Sequence, residues 1–152
     1  MMNIYFVCTG NTCRSPMAEA ILKSMDIPNV YVQSAGIFAL EGGEMSENAK
    51  AIIGKEGLEL NHRSKVVTQG DINWADLVLT MTSAHKSMLL TSYPKAAGKV
   101  FTLKEYTAPY ASRDVSDPFG GDLHQYQQTY QELKQHIEKL ATLLNNEPNG
   151  EA

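Results

Sequence analysis

Cys8 and Arg14 close the two ends of Cys8-Thr9-Gly10-Asn11-Thr12-Cys13-Arg14, with Ser15 following, and each residue type there suits the handling of a phosphoryl group. A cysteine thiolate is a strong nucleophile. An arginine guanidinium is a planar fork that binds two phosphoryl oxygens at once. Gly10 and Asn11 tolerate the left-handed backbone that a tight curl needs. Where a strand enters such a segment and a helix leaves it, the N–H groups of Thr9 through Ser15 converge with the positive end of the helix dipole into an anion cradle. Ser15 is placed both to cap the helix and to donate to the Cys8 sulfur as it attacks or departs. The segment is no Walker loop, because it lacks the closing Gly-Lys-Ser/Thr.

The plain alternative is a buried cysteine ending a strand, with Arg14 in a surface ion pair. A Cys-x5-Arg-[Ser/Thr] match arises by chance in about one chain in a hundred of this size, and its place after a predicted strand sharpens it further. Zinc is disfavoured. Two cysteines and four scattered histidines offer no second ligand pair with recognisable spacing, so no metal is expected.

A leaving group needs a proton, and Asp117 is the candidate acid in Asp114-Val115-Ser116-Asp117-Pro118-Phe119-Gly120-Gly121. Pro118 stiffens the stretch, while the aromatic Phe119 and the glycines suggest a shaped loop leaning over a pocket rim. The residues alone leave Asp117 equally open to a role as turn former or as cap of the last helix.

These groups must be held by elements, and the elements alternate. Asn3 to Val7 reads as a fully buried strand, and Met17, Ile21, Leu22 and Met25 give the next segment one helical face, with Ser15 as cap and Pro16 at the first helical position. Asn29 to Ser34 predicts a second strand. Ala49, Ile52 and Ile53 mark a helix that stops near Gly57. Leu77 to Met81 predicts a strand, the stretch around Met88, Leu89 and Leu90 a helix ending before Pro94, and Lys99 to Thr102 a last strand. Leu123, Tyr126, Tyr130, Leu133, Ile137, Leu140 and Leu144 advance by alternating steps of 3 and 4, the clearest helix face in the chain, expected to pack on the sheet. Near-continuous apolar strands alternating with helices argue an α/β fold, a parallel sheet covered on both faces.

The 152 residues, 43% apolar and 20% charged, suit a single domain over 1–152 that buries a core without staples, with residues 145–152 a frayed tail. The net charge of −4 lacks the basic stripe that nucleic acid or an anionic membrane would need. No apolar run approaches the ~18 residues of a bilayer span, and no basic segment precedes the first apolar stretch, so the expected compartment is the cytoplasm. In a reducing cytosol Cys8 and Cys13 read as chemistry rather than architecture.

Taken together, Val7 to Pro16 with Asp117-Pro118 resembles the low-molecular-weight protein tyrosine phosphatase family over nearly the whole chain. Ser34-Ala35-Gly36, Asn61-His62-Arg63-Ser64 and Ala75 to Met81 look like further family segments. The resemblance implies a four-stranded parallel sheet between helices, a phosphate-binding loop after the first strand, a phosphocysteine intermediate, and neither metal nor cofactor. It implies Cys8 as nucleophile, Arg14 as phosphoryl binder and Asp117 as acid and then base. It also implies Asn11, Ser34 and His62 as a network bracing the loop, and Cys13 as partner of Cys8 in a protective disulfide. Without it, His62 would read as an ordinary loop histidine.

Three features resemble the family's bacterial protein-arginine-phosphatase branch: Thr12 where many relatives carry a bulky aliphatic residue, Thr82 where many carry Asp, and a single aromatic wall at Phe119. A small hydroxyl at Thr12 leaves room to orient water or a guanidinium-bearing phosphoryl group, although Thr12 could also simply pack under the loop. The expected substrates are proteins phosphorylated on arginine, with phosphotyrosine as the alternative. An arsenate reductase would need cysteines beyond Cys13. An inactive phosphate-binding module would keep Cys8, Arg14 and Asp117 for no evident reason.

Overall fold

The computed structural model describes residues 1–108 and 114–145. Four parallel strands, β1 (Met2–Cys8), β2 (Val30–Gly36), β3 (Leu77–Thr80) and β4 (Val100–Thr102), lie in the order β2-β1-β3-β4. Six α-helices accompany them among the described residues: α1 (Arg14–Ser24), α2 (Glu47–Lys55), α3 (Gln69–Trp74), α4 (Ser83–Ser92), α5 (Leu103–Thr107) and α6 (Leu123–Asn145). The alternating side chains of β1 show why the strand is apolar throughout. Ile4, Phe6 and Cys8 join the cluster made with α1, α2 and α6, whereas Tyr5 and Val7 join the one made with α3 and α4. The three-layer α/β expectation is met.

The chain runs from β1 outward to β2 on one side and from β3 outward to β4 on the other. The crevice beyond the carboxyl ends of β1 and β3 is therefore the topological switch point, where open α/β sheets hold ligands. Cys8 is the last residue of β1 and Arg14 the first of α1, so the loop between them lies at that point.

Several local expectations are corrected. Helix α1 begins one residue before Ser15, at Arg14, and its N-cap position, Cys13, makes no side-chain cap bond. Ser15 sits within the first turn, its hydroxyl turned back to Cys8, so the leading N–H groups are not spent on a side-chain cap. Asn11, with φ of 57°, alone takes the left-handed conformation in the loop; Gly10 does not. The Asp122 carboxylate accepts from the Gln125 N–H at the start of α6, so the capping role left open for Asp117 falls to Asp122. The α6 face buries Tyr126, Tyr130, Leu133, Ile137 and Leu140 as its spacing predicts, but it packs chiefly on α1, α2 and α5 rather than directly on the sheet. Leu123 stays exposed, and so does Met88 on α4, where His85 and Leu89 are buried instead. Helices α3 and α5, six and five residues long, are too short to show a period. Residues 146–152, most of the expected tail, lie outside the described residues.

Candidate active site

The loop from Cys8 to Ser15 curls around one asparagine. Asn11 Nδ2 donates to Ser15 Oγ at 2.8 Å and to Ser34 Oγ at 3.0 Å, and its Oδ1 accepts the Lys65 N–H at 3.0 Å. Its backbone carbonyl accepts from His62 Nε2 at 2.7 Å and Ser64 Oγ at 2.8 Å, so Nε2 must carry the His62 proton. Its N–H points to Cys8 Sγ at 3.3 Å. Both the side-chain amide and the peptide of Asn11 are thus satisfied, which stabilises a left-handed residue that would otherwise cost about 1–2 kcal/mol. Burial lowers the pKa of His62, opposed by its bond to the Asn11 carbonyl, so the ring is favoured in its neutral form.

Ser34 passes the network on, donating to Glu19 Oε1 at 2.6 Å, and Glu19 pairs with Lys23 on the same helix. Gly36 is required here for space. A Cβ on it would stand 2.4 Å from the Thr9 carbonyl and 2.9 Å from the Asn11 nitrogen. On the other side, Thr9 Oγ1 and His85 Nε2 are hydrogen-bonded at 2.8 Å. His85 is buried at the start of α4, its Nδ1 makes no hydrogen bond among the described residues, and burial together with the nearby Arg14 charge pushes its pKa down to about 4.

Cys8 Sγ lies 2.8 Å from Ser15 Oγ. Arg14 is buried, its Nη1 donating to the Val115 carbonyl at 3.2 Å and its Nη2 standing 3.5 Å from Asp117 Oδ2. Asp117 is the opposite, with its side chain 57% exposed; its Oδ1 accepts the Phe119 N–H at 3.0 Å. These groups share one cavity of about 210 Å³, lined by Cys8, Thr9, Gly10, Thr12, Cys13 and Arg14 below and by Asp117 and Phe119 above. Every residue expected at the site from its sequence is therefore in or beside it: Ser15 under the sulfur, and Asn11, Ser34 and His62 behind the loop. Thr12 is among the residues that line this cavity.

Cys13 is buried, with Tyr126 Oη at 3.3 Å and Ser46 Oγ at 3.5 Å, and it is a free thiol, as is Cys8. Sequence reasoning missed Glu19, Ser46, Ser64, His85 and Tyr126, whose partners are 15 to 113 residues away in the chain. Ser64 stood in a segment already singled out, and Tyr126 was read only as part of the apolar face of α6. Among the described residues no group of three His, Cys, Asp or Glu side chains is arranged to hold a metal ion. No helix of the described residues is long and apolar enough to cross a membrane.

A family model described as low molecular weight phosphotyrosine protein phosphatase matches residues 3–149. A protein-arginine-phosphatase of Geobacillus stearothermophilus is 46% identical over 144 residues, covering 95% of this chain and 97% of that one. The solved YwlE arginine phosphatase of the same organism superposes with a TM-score of 0.96 at 44% identity, over 100% of this chain and 98% of its own. A second structure, a YwlE cysteine-to-serine mutant with a phosphorylated active-site serine, has a TM-score of 0.94 at 43% identity, covering 99% of this chain and all of its own.

Proposed function

The chain belongs to the low molecular weight phosphotyrosine protein phosphatase family, and from that premise we propose that it removes phosphate from arginine side chains of proteins by way of a phosphocysteine on Cys8. The observation that carries the reading is the convergence of Cys8, Arg14 and Asp117 on one small cavity at the switch point of the sheet.

The loop N–H groups and the Arg14 fork hold the phosphoryl oxygens and balance the charge that builds on them. The Cys8 thiolate, steadied by the Ser15 hydroxyl and the Asn11 N–H, attacks phosphorus as the P–N bond breaks. Asp117 gives its proton to the departing nitrogen. A water then attacks the phosphocysteine while the Asp117 carboxylate takes the water's proton; the S–P bond breaks, phosphate leaves, and the thiolate returns. Because the loop is wired in place beforehand, little reorganisation is needed at the moment of reaction.

Arginine specificity is supported by Thr12, a small polar residue of the cavity lining, and by the exposed Asp117 carboxylate, which suits a planar guanidinium at the mouth. It is supported too by the arginine phosphatase activity named for the Geobacillus relative. Phosphotyrosine is the rival substrate, favoured by the family's description and by Phe119 as a wall for a phenol ring. A nucleophilic thiol suits a reducing compartment such as the cytoplasm. Peptides carrying phosphoarginine or phosphotyrosine decide between the two. The expected result is a higher kcat/KM for phosphoarginine, with Thr12→Ile shifting the ratio toward phosphotyrosine by about tenfold. A wild-type preference for phosphotyrosine would overturn the assignment, and an unmoved ratio in Thr12→Ile would remove Thr12 from it.

A further inference from the structure

Asp117 must meet a leaving group, yet its own contacts do little to fix it. Its Oδ1 bond to the Phe119 N–H is local, and its partner at 3.5 Å, Arg14, is the group that phosphoryl oxygens claim during reaction. The firm support lies one and two residues back. Val115 is buried, donates its N–H to the Met81 carbonyl at 2.8 Å and gives its carbonyl to Arg14. Ser116 is tied to a single carboxylate on α6: Glu132 Oε1 accepts from the Ser116 N–H at 3.1 Å and from its hydroxyl at 2.8 Å. The same hydroxyl lies 3.0 Å from Thr129 Oγ1, one turn earlier on α6. The other Glu132 oxygen takes the Nζ of Lys104, a buried lysine on α5.

Burial works against charge on Glu132, but the Lys104 ammonium and the two Ser116 donors outweigh it, and its pKa falls below the ordinary carboxylate value. The carboxylate is therefore ionised at neutral pH, as a charge-assisted acceptor should be. It does not line the cavity, so substrate has no reason to displace it.

We propose that Glu132 is a positioning residue: held by Lys104, it fixes Ser116 and so sets where the next residue, Asp117, presents its carboxyl to the leaving group. The inference rests on Asp117 being the general acid. A general acid is worth about 10²–10⁴ in rate and only from a narrow range of positions, so a loosened Ser116 should cost a part of that factor.

The test compares kcat/KM for 4-nitrophenyl phosphate, whose leaving group departs without a proton, with that for phenyl phosphate, whose leaving group needs one. Glu132→Ala is expected to lose about tenfold on phenyl phosphate and less than about twofold on 4-nitrophenyl phosphate. Glu132→Gln, which still offers Ser116 an acceptor, should recover most of the loss. In an Asp117→Asn background, Glu132→Ala should have no further effect, because both substitutions act through one group. Ser116→Ala is an exposed change that keeps the fold and should show the same selective loss in smaller measure. An equal loss on both substrates, or a loss that persists in the Asp117→Asn background, would overturn the proposal. If Asp117→Asn itself fails to discriminate between the substrates, the reading of Asp117 as acid falls, which is a separate outcome.

Discussion

The two sides of the cavity are built on opposite plans. Below, Asn11, Arg14 and Ser15 are buried, and Asn11 alone is wired to Ser15, Ser34, His62, Ser64 and Lys65. Above, the Asp117 side chain is 57% exposed and Phe119 80% exposed, and that loop is held through Ser83, Met81, Arg14, Thr129, Glu132 and Asn48. The difference follows from what each side must do. Binding a dianion calls for donors fixed in a dry, rigid cradle, since any reorganisation is lost transition-state stabilisation. A proton donor must meet leaving groups attached to a protein, and that requires an open mouth. Stability and chemistry should therefore be coupled below the cavity and nearly separate above it.

The largest effect expected is Cys8→Ser, which should lower turnover by about four orders of magnitude or more in steady-state assays; substantial residual activity would remove Cys8 from its place below the cavity. Asp117→Asn comes next, with kcat/KM on phosphoarginine peptides down by about 10²–10³. Asp117 is more than half exposed, so solvent screens its 3.5 Å contact with the buried Arg14, and the same variant should unfold in denaturant almost as the wild type does. Asn11→Ala should lose about 10- to 100-fold in kcat/KM and, unlike Asp117→Asn, about 2–4 kcal/mol of stability, by stranding Ser15 and Ser34 partners and forcing alanine into a left-handed backbone. If these two variants lost stability equally, the contrast between the sides would collapse.

The smallest effect is a pH dependence of the lower side. His85 has a folded pKa of about 4 against an ordinary 6.5, so between those values the unfolded chain binds the extra proton. Stability is complete above pH 6.5 and is lost as pH falls toward 4, by at most about 3 kcal/mol. Denaturant unfolding at pH 7 and pH 4.5 measures the loss, and His85→Gln should remove the His85 share of it, leaving the part that His62 and His136, also lowered by burial, contribute.

Much of this contrast was legible in the sequence. The loop residues are contiguous and sit between two strongly patterned elements, so residue type and spacing located the cradle, and the resemblance supplied its distant braces, Ser34 and His62. The left-handed position was harder. Gly10 and Asn11 both tolerate it, and only the web of partners around Asn11 selects that residue. Glu132 was hidden for a different reason. It precedes Leu133 on a helix read for its apolar face, and its partners Ser116 and Lys104 lie 16 and 28 residues away in the chain. Helix α5 did carry a readable signal, the capping box of Thr102 and Glu105, though its length shows no period.

The central claim is that the phosphoryl group passes through Cys8. The direct measurement is a single turnover with a phosphoarginine peptide, quenched in denaturant within milliseconds, followed by mass spectrometry of the fragment holding Cys8. A phosphoryl group is expected on the Cys8 sulfur, appearing and decaying before free phosphate reaches its final level, and, in Cys8→Ser, phosphate should stay on the introduced serine. Phosphate released with no phosphorylated form of that fragment at any time, and continued release by Cys8→Ser, would contradict it.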